Sequence, residues 1–276
     1  MNRRYRTLGL FSVLFTLGSH PTWAGDIDSD IIRGQFTGDG GYFELGARAL
    51  AGNSPIVGVP KNGNTAKAAL ISVSGRYQLG AGFVELDEIG GLNVGLNFFA
   101  GDNWWLDAVI SQAHGAIDPE DINALRNSAL REREADLPVG LRATGYLGST
   151  LVQITVLSGD LRDNHNGQTV SAKVGRHWQQ RKLNYHWLVG AVYDSDKVTH
   201  YYFGIDPNQS DANFMAYVAD SSLRLFAELG LTLALTEKWV LRGKAQYTHL
   251  SDAIADSPII EDDYASVAAV ALNYVF

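Results

Sequence analysis

The 276-residue chain has no cysteine and only seven prolines. Beyond its first two dozen residues it has no apolar run near the roughly 20 residues that a membrane-spanning helix needs. The absence of thiols excludes disulfides and thiolate metal centres, so stability has to come from burial and from closure of the backbone hydrogen-bond network. Basic residues are also scarce: 22 Lys and Arg against 30 Asp and Glu leave a formal charge of −8. Nucleic acid is therefore excluded as an expected partner, because a phosphate backbone attracts positive charge. No Pro/Ser-rich linker, low-complexity tract or shift in composition divides the chain, and one domain is expected.

What is present starts with Arg3, Arg4 and Arg6, an apolar core from Leu8 to Leu17, and Thr22-Trp23-Ala24 before Gly25. This layout predicts a secretory signal peptide over residues 1–24, with 25–276 as the mature domain. Removing its arginines takes the formal charge to about −11. Glycine is abundant, aromatics make up 11% of the chain, and mean hydropathy is near zero. Such an average arises when apolar and polar positions alternate and cancel.

Alternation is indeed the dominant pattern. In the last segment Ala268, Val270, Leu272, Tyr274 and Phe276 share one face, with Ala269, Ala271, Asn273 and Val275 on the other. From Leu223 to Leu235 every odd position is Leu or Ala, while Arg224, Glu228 and Thr232 occupy the other face. Trp239, Leu241, Gly243, Ala245 and Tyr247 then oppose Arg242, Lys244 and Gln246, and the same parity runs through 170–178, 183–193, 152–156, 139–144, 104–110 and 92–98. Strands this long, with aromatics at their ends, predict an all-β, transmembrane, antiparallel up-and-down barrel of the bacterial outer membrane.

Connection lengths orient it, since such barrels keep short turns in the periplasm and longer loops outside. Segments 113–137, 159–167, 195–221 and 251–263 are long and 100–103, 148–149, 180–182 and 236–237 are short, so the former are expected outside. Strands at 42–51 and 67–78 alone would give an odd count. An added short strand from Phe83 to Glu88, turned by Gly90-Gly91, restores twelve, with ten as the alternative. Tyr274 and Phe276 are the expected signal for the barrel assembly machinery, and outer-membrane lipid with lipopolysaccharide is the expected surround.

Tyr201-Tyr202-Phe203-Gly204, Tyr217-Val218-Ala219, Trp239-Val240-Leu241, Ser257-Pro258-Ile259 and Tyr274-Val275-Phe276 together carry a family resemblance. The series resembles the MipA/OmpV family of outer-membrane proteins, whose members share a YYG-type element, a Y-x-A, a W-x-L strand and a Ser-Pro-Ile loop. It is best over 198–276, and Phe203 interrupts the YYG element here. The resemblance implies a non-enzymatic scaffold or interaction protein, with a periplasmic murein hydrolase and murein synthase as its partners.

Three constellations compete for function. Inward charges Glu44, Arg48, Arg76, Glu85, Asp107, Arg142, Lys173, Arg224, Glu228, Arg242 and Lys244 either line a narrow porin or pack a closed lumen as ion pairs, and packing is the favoured reading. His249 and Ser251 share a face at the outer end of a strand, the pattern of an outer-leaflet lipid hydrolase, although Asp252-Ala253 replaces the Asn-Gly that follows in such enzymes. Acidic loop residues, including Asp194, Asp206, Asp211 and Glu261 to Asp263, lack metal-site spacing and are expected to be solvated. No catalytic, cofactor or metal residue is assigned. Ile122, Leu125 and Leu130 suggest a short amphipathic helix within the charged stretch Asp118 to Asp136, and Asp163 to Gly167 is expected to be a turn.

Overall fold

The computed structural model describes residues 39–59, 66–87, 91–126 and 128–276. The expected signal segment, 1–24, lies outside them. Twelve strands form one closed antiparallel ring: β1 (Gly40–Asn53), β2 (Ala66–Leu79), β3 (Gly82–Asp87), β4 (Gly91–Ala100), β5 (Trp104–Ser111), β6 (Val139–Leu147), β7 (Thr150–Ser158), β8 (Gln168–Gln180), β9 (Leu183–Asp194), β10 (Ser222–Ala234), β11 (Trp239–His249) and β12 (Tyr264–Val275). Each strand pairs with its sequence neighbours, and β1 pairs with β12 from Glu44↔Val275 to Asn53↔Ser266. No helix among the described residues is long and apolar enough to cross a membrane. The strands do so, with every edge consumed by closure.

Parity places the side chains as the alternation demands. Leu223, Leu225, Leu229 and Leu231 are exposed on the outer wall of β10, whereas Arg224, Phe226 and Glu228 are buried inside it. Val270 and Leu272 face out from β12 while Ala269, Ala271 and Asn273 are buried. Aromatic pairs gather at the end that carries the short turns: Trp239 with Tyr274 at 5.4 Å, Tyr274 with Phe276 at 4.9 Å, and Phe43 with Phe276 at 5.9 Å. Rings at this level suit the interface between hydrocarbon and water. The Phe276 N–H also donates to Phe43 C=O at 2.9 Å, extending the β1–β12 seam.

The short third strand exists and pairs on both sides, with β2 at Arg76↔Glu85 and with β4 at Val84↔Val94. Val84 is exposed and Glu85 buried, as its parity requires, and Phe83 is buried beside Glu85. Lumen aromatics need room across the strand pair, and glycine supplies it. Phe83 stands opposite Gly95 and Phe226 opposite Gly190, and a Cβ on either glycine would collide with the facing ring.

The stretch Asp118 to Asp136 corrects an expectation. Only a 3₁₀ turn, Pro119–Asp121, forms near its start, with the Asp118 carboxylate accepting the Glu120 N–H at 2.9 Å. An Ile117↔Arg133 bridge holds the flanks of the segment extended, and a single hydrogen-bonded turn, in which Leu125 and Arg126 N–H donate to Ile122 C=O at 3.0 and 2.9 Å, sets Ile122 and Leu125 into the apolar cluster beneath neighbouring loops. Helical spacing arose here because several apolar anchors have to point the same way. A true helix appears instead at α1 (Asp196–Phe203), with a single turn at α2 (Asp252–Ala255).

Gly190→Val is expected to cost about 1–3 kcal/mol by overpacking against the Phe226 ring. The cost should appear as a lower urea midpoint for the folded, gel-shifted barrel; an unchanged midpoint would show that the ring can move aside.

Candidate functional site

A narrow ring leaves its inward side chains little solvent, so most charges there require a partner. The first cluster joins β2 to β6. Glu85 receives both terminal nitrogens of Arg142 at 2.8 and 3.1 Å and also pairs with Arg76, while Arg142 Nε reaches Asp107 at 3.1 Å. Asn97 donates to Asp107 at 2.8 Å, and the Phe83 ring lies 4.5 Å from the Arg76 guanidinium and 5.1 Å from that of Arg142. Two carboxylates balance two guanidiniums, and Arg142 is 1% exposed.

A second cluster ties β1 to β11 and β12: Glu44 takes Arg242 at 2.7 and 2.8 Å and Asn273 at 2.9 Å. A third places Glu228 between Lys244 at 3.0 Å and His186 at 3.2 Å. Arg48 and Lys173 are buried in the same lumen. Apolar side chains complete the filling, with Leu151, Leu188, Val192 and Phe226 in one group and Phe83, Val109 and Leu157 in another. Only Arg242 and Lys244 keep partial side-chain exposure, at 11% and 21%, among the inward charges named from the sequence.

The outer mouth is closed by a cap. Ile56, Ile117, Leu125, Tyr202, Phe214 and Ile259, drawn from four external loops, share one apolar cluster. The motif segments lock it together: Ser257 Oγ donates to Phe203 C=O at 2.6 Å, Tyr202 Oη to Glu134 C=O at 2.9 Å, and Tyr217 Oη to Ala253 C=O at 3.2 Å. Residues far apart in sequence and unexplained by strand parity therefore meet in one lid.

Beneath the lid, a polar lock joins cap to wall. His114 contacts Asp136 at 2.7 Å through Nδ1 and Asp194 at 3.5 Å through Nε2, and its ring stacks on Tyr202 at 4.6 Å. Arg224 reaches Asp194 at 2.5 Å and Thr169 donates to it at 2.8 Å, while His165 bonds Asp136 at 3.1 Å. Burial opposes a charge on His114, but the two carboxylates outweigh it and raise its pKa to about 9. Burial likewise opposes the Asp136 charge, yet His114 and His165 hold its carboxyl down at about 2. Asp194 is thus not a solvated loop acid: it ends β9 pointing inward, 2% exposed. His114, Asp136 and His165 carried no sequence signal, because loops have no parity to reveal an inward side chain.

The hydrolase geometry is not assembled. Ser251 Oγ accepts the Leu223 N–H at 3.2 Å, and His249, half exposed, lies 3.9 Å from Asp263 rather than against the serine. Among the described residues no His/Asp/Glu group has metal-site geometry. Apart from these sites, an open depression of about 850 Å³ on the lipid-facing wall is floored by Ala49, Ala69, Gly243, Ala245 and Ala268, small side chains that let acyl chains approach the sheet.

A closed twelve-strand barrel with an apolar outer wall, an aromatic interface and a charge-packed lumen defines an outer-membrane β-barrel protein. Residues 45–276 match the family model described as MltA-interacting protein MipA, and the chain belongs to that family. It is 26% identical over 153 residues to the MltA-interacting protein of Escherichia coli (strain K12), across 53% of this chain and 59% of that protein. The match thus spans about three-fifths of that relative's length. It is 23% identical over 189 residues to the outer membrane protein OmpV of Vibrio cholerae, across 68% of this chain and 72% of that one. Among solved structures it is similar to a FadL homologue of Pseudomonas aeruginosa, with a TM-score of 0.42, 9% identity, and coverage of 88% of this chain and 91% of that one.

Two outcomes follow from the ion pairs. Glu85→Gln removes the counter-charge of two buried guanidiniums and is expected to cost about 3–5 kcal/mol in urea unfolding from lipid vesicles. A loss within about 0.5 kcal/mol, typical of a surface site, would mean that the lumen is hydrated. For His114 the folded pKa lies above the ordinary 6.5, so its contribution is complete below that pH and fades as pH rises through about 9. Asp136 lies below its ordinary 3.8, so its contribution stands above that pH and is lost as pH falls through about 2. Protease cleavage of the cap loops should therefore be slowest between about pH 4 and 6.5 and accelerate near pH 9, and His114→Gln should abolish the alkaline limb.

Proposed function

We propose that this chain is a non-conducting, non-enzymatic barrel that serves as an interaction scaffold in the outer membrane. The observation that carries this reading is the filled lumen, with Arg142 buried between Glu85 and Asp107 beneath an apolar cap. A barrel without a passage offers surfaces rather than transport. The name of the Escherichia coli relative, MltA-interacting protein, favours a murein hydrolase as partner, and a link from that hydrolase to a murein synthase is the finer form of the same proposal.

The contact is assigned to the periplasmic rim, where Arg181 and Lys182 in the β8–β9 turn and Lys238 in the β10–β11 turn are all exposed. Ala234 N–H donates to Lys182 C=O at 2.9 Å, and these neighbouring turns carry three exposed cations against the single acid Glu237, an excess suited to an acidic partner surface. Tyr274 and Phe276, whose rings touch at the same rim, are the residues proposed for recognition by the barrel assembly machinery. Lipid and lipopolysaccharide contact the outer wall.

A second reading, a narrow porin, draws on the partial exposure of Arg242 and Lys244. Planar-bilayer recording separates the two, with no steady conductance expected; a stable open level would replace the scaffold by a porin. Detergent extracts of the envelope should yield a murein hydrolase bound to the native chain, and reversing charge at Arg181, Lys182 and Lys238 together should reduce that recovery severalfold. Capture of no murein enzyme by the native chain would end the scaffold proposal.

A further inference from the structure

A second cavity, of about 360 Å³, lies in the external cap where the β5–β6, β7–β8 and β9–β10 loops meet. Arg131, Arg133, Lys197, His165, His200 and Tyr201 line it, and the sole carboxylate among its lining residues is Asp206. That carboxylate is already engaged. It takes Arg131 at 2.6 Å, Gln209 Nε2 at 3.0 Å and His200 Nε2 at 3.3 Å. His200 Nδ1 faces the Ala219 N–H at 3.3 Å, and its Nε2 faces Asp206.

Arg133 differs from the lumen arginines. It is 6% exposed, yet among the described residues its guanidinium donates only to neutral oxygens: Arg131 C=O at 2.7 Å, Gly204 C=O at 3.1 Å and Gln209 Oε1 at 3.1 Å. Asp206 favours the Arg133 charge from across the pocket but makes no direct ion pair with it and is shared with Arg131 and His200; a buried cation neutralised only at a distance is costly. Lys197 adds an exposed ammonium that makes no ion pair with the described residues. It sits in the first turn of α1, where a cation works against the helix dipole, so helix stability does not account for it. Beside these cations the Tyr201 and His165 rings stand 5.5 Å apart, and Asn164 and Asn166 bring amides to the wall.

We infer that this pocket binds an acidic sugar of monosaccharide size, its phosphate or carboxylate facing Arg133 and Lys197 and its ring against Tyr201. The volume falls at the lower end of the range of about 300–1,000 Å³ usual for small-ligand sites. Aromatic faces suit the C–H face of a sugar, and the Asn amides suit its hydroxyls. The inference is independent of the periplasmic scaffold reading, because it concerns the opposite face of the barrel. Such a group comes either from lipopolysaccharide in the same leaflet or from a free solute.

Titration calorimetry on the full mature chain in detergent, with glucose 6-phosphate and glucose as probes, tests it. Glucose 6-phosphate should bind and glucose should not. Arg133→Gln is expected to weaken binding at least about tenfold, as loss of a charge-assisted contact does. Lys197→Gln, an exposed change that leaves the fold intact, should weaken it several-fold. Equal binding of the two probes, no binding of either, or no effect of Lys197→Gln overturns the inference. Where binding holds, reconstitution distinguishes the sources: occlusion of the site in lipopolysaccharide-bearing bilayers but not in phospholipid alone assigns it to the lipid headgroup. Equal affinity in both assigns it to a solute.

Discussion

Hydrocarbon offers a backbone amide no hydrogen-bond partner, and an unpaired one there costs several kcal/mol, so a strand in a membrane must be paired on both sides. Closure of β1 onto β12 answers that demand, and it imposes the next. Once the ring is shut, alternate residues of every strand point into a narrow interior where water is scarce, and charge there has to be neutralised by charge. Glu85 between Arg76 and Arg142, Glu44 on Arg242, and Glu228 between Lys244 and His186 are the outcome. Leu151, Phe226 and Phe83 occupy the volume that ion pairs leave.

The external loops repeat the logic with different chemistry. They carry an apolar core of their own, assembled from four connections and tied to the barrel wall by His114, Asp136, Asp194 and Arg224. Through Tyr202, Tyr217 and Ser257, the segments that carry the family resemblance act as the clasps of this lid. Their spacing in this chain reflects where its loops meet over the mouth.

Strand number and the division of each strand between two faces were legible from parity and connection length, because a strand with lipid on one side leaves a period of two that survives without any knowledge of its neighbours. Even the short β3 was forced by the need for an even count. Parity misleads where both faces are apolar. Leu151, Leu157 and Leu188 face the lumen, and their hydrophobicity gives no hint of it. Asp194 was missed because β9 runs one residue further than expected, to an inward last position, and parity is silent in loops, where His114 and Asp136 lie in a connection with no repeating geometry. In Asp118 to Asp136 the spacing of Ile122 and Leu125 recorded a shared destination under the cap rather than a helix.

The sequence by itself determined that this chain crosses a membrane as strands and how each strand divides its residues between two faces. Those properties belong to single strands, and the two-residue period of an extended chain displays them directly. Only the tertiary structure decided which charges meet, that the mouth is covered, that His249 and Ser251 stay apart, and that Arg133 and Lys197 share a hollow. Each of these depends on bringing together residues as distant as Glu44 and Arg242. Distance across a closed ring follows from strand register and loop packing, and no local pattern in the chain encodes it.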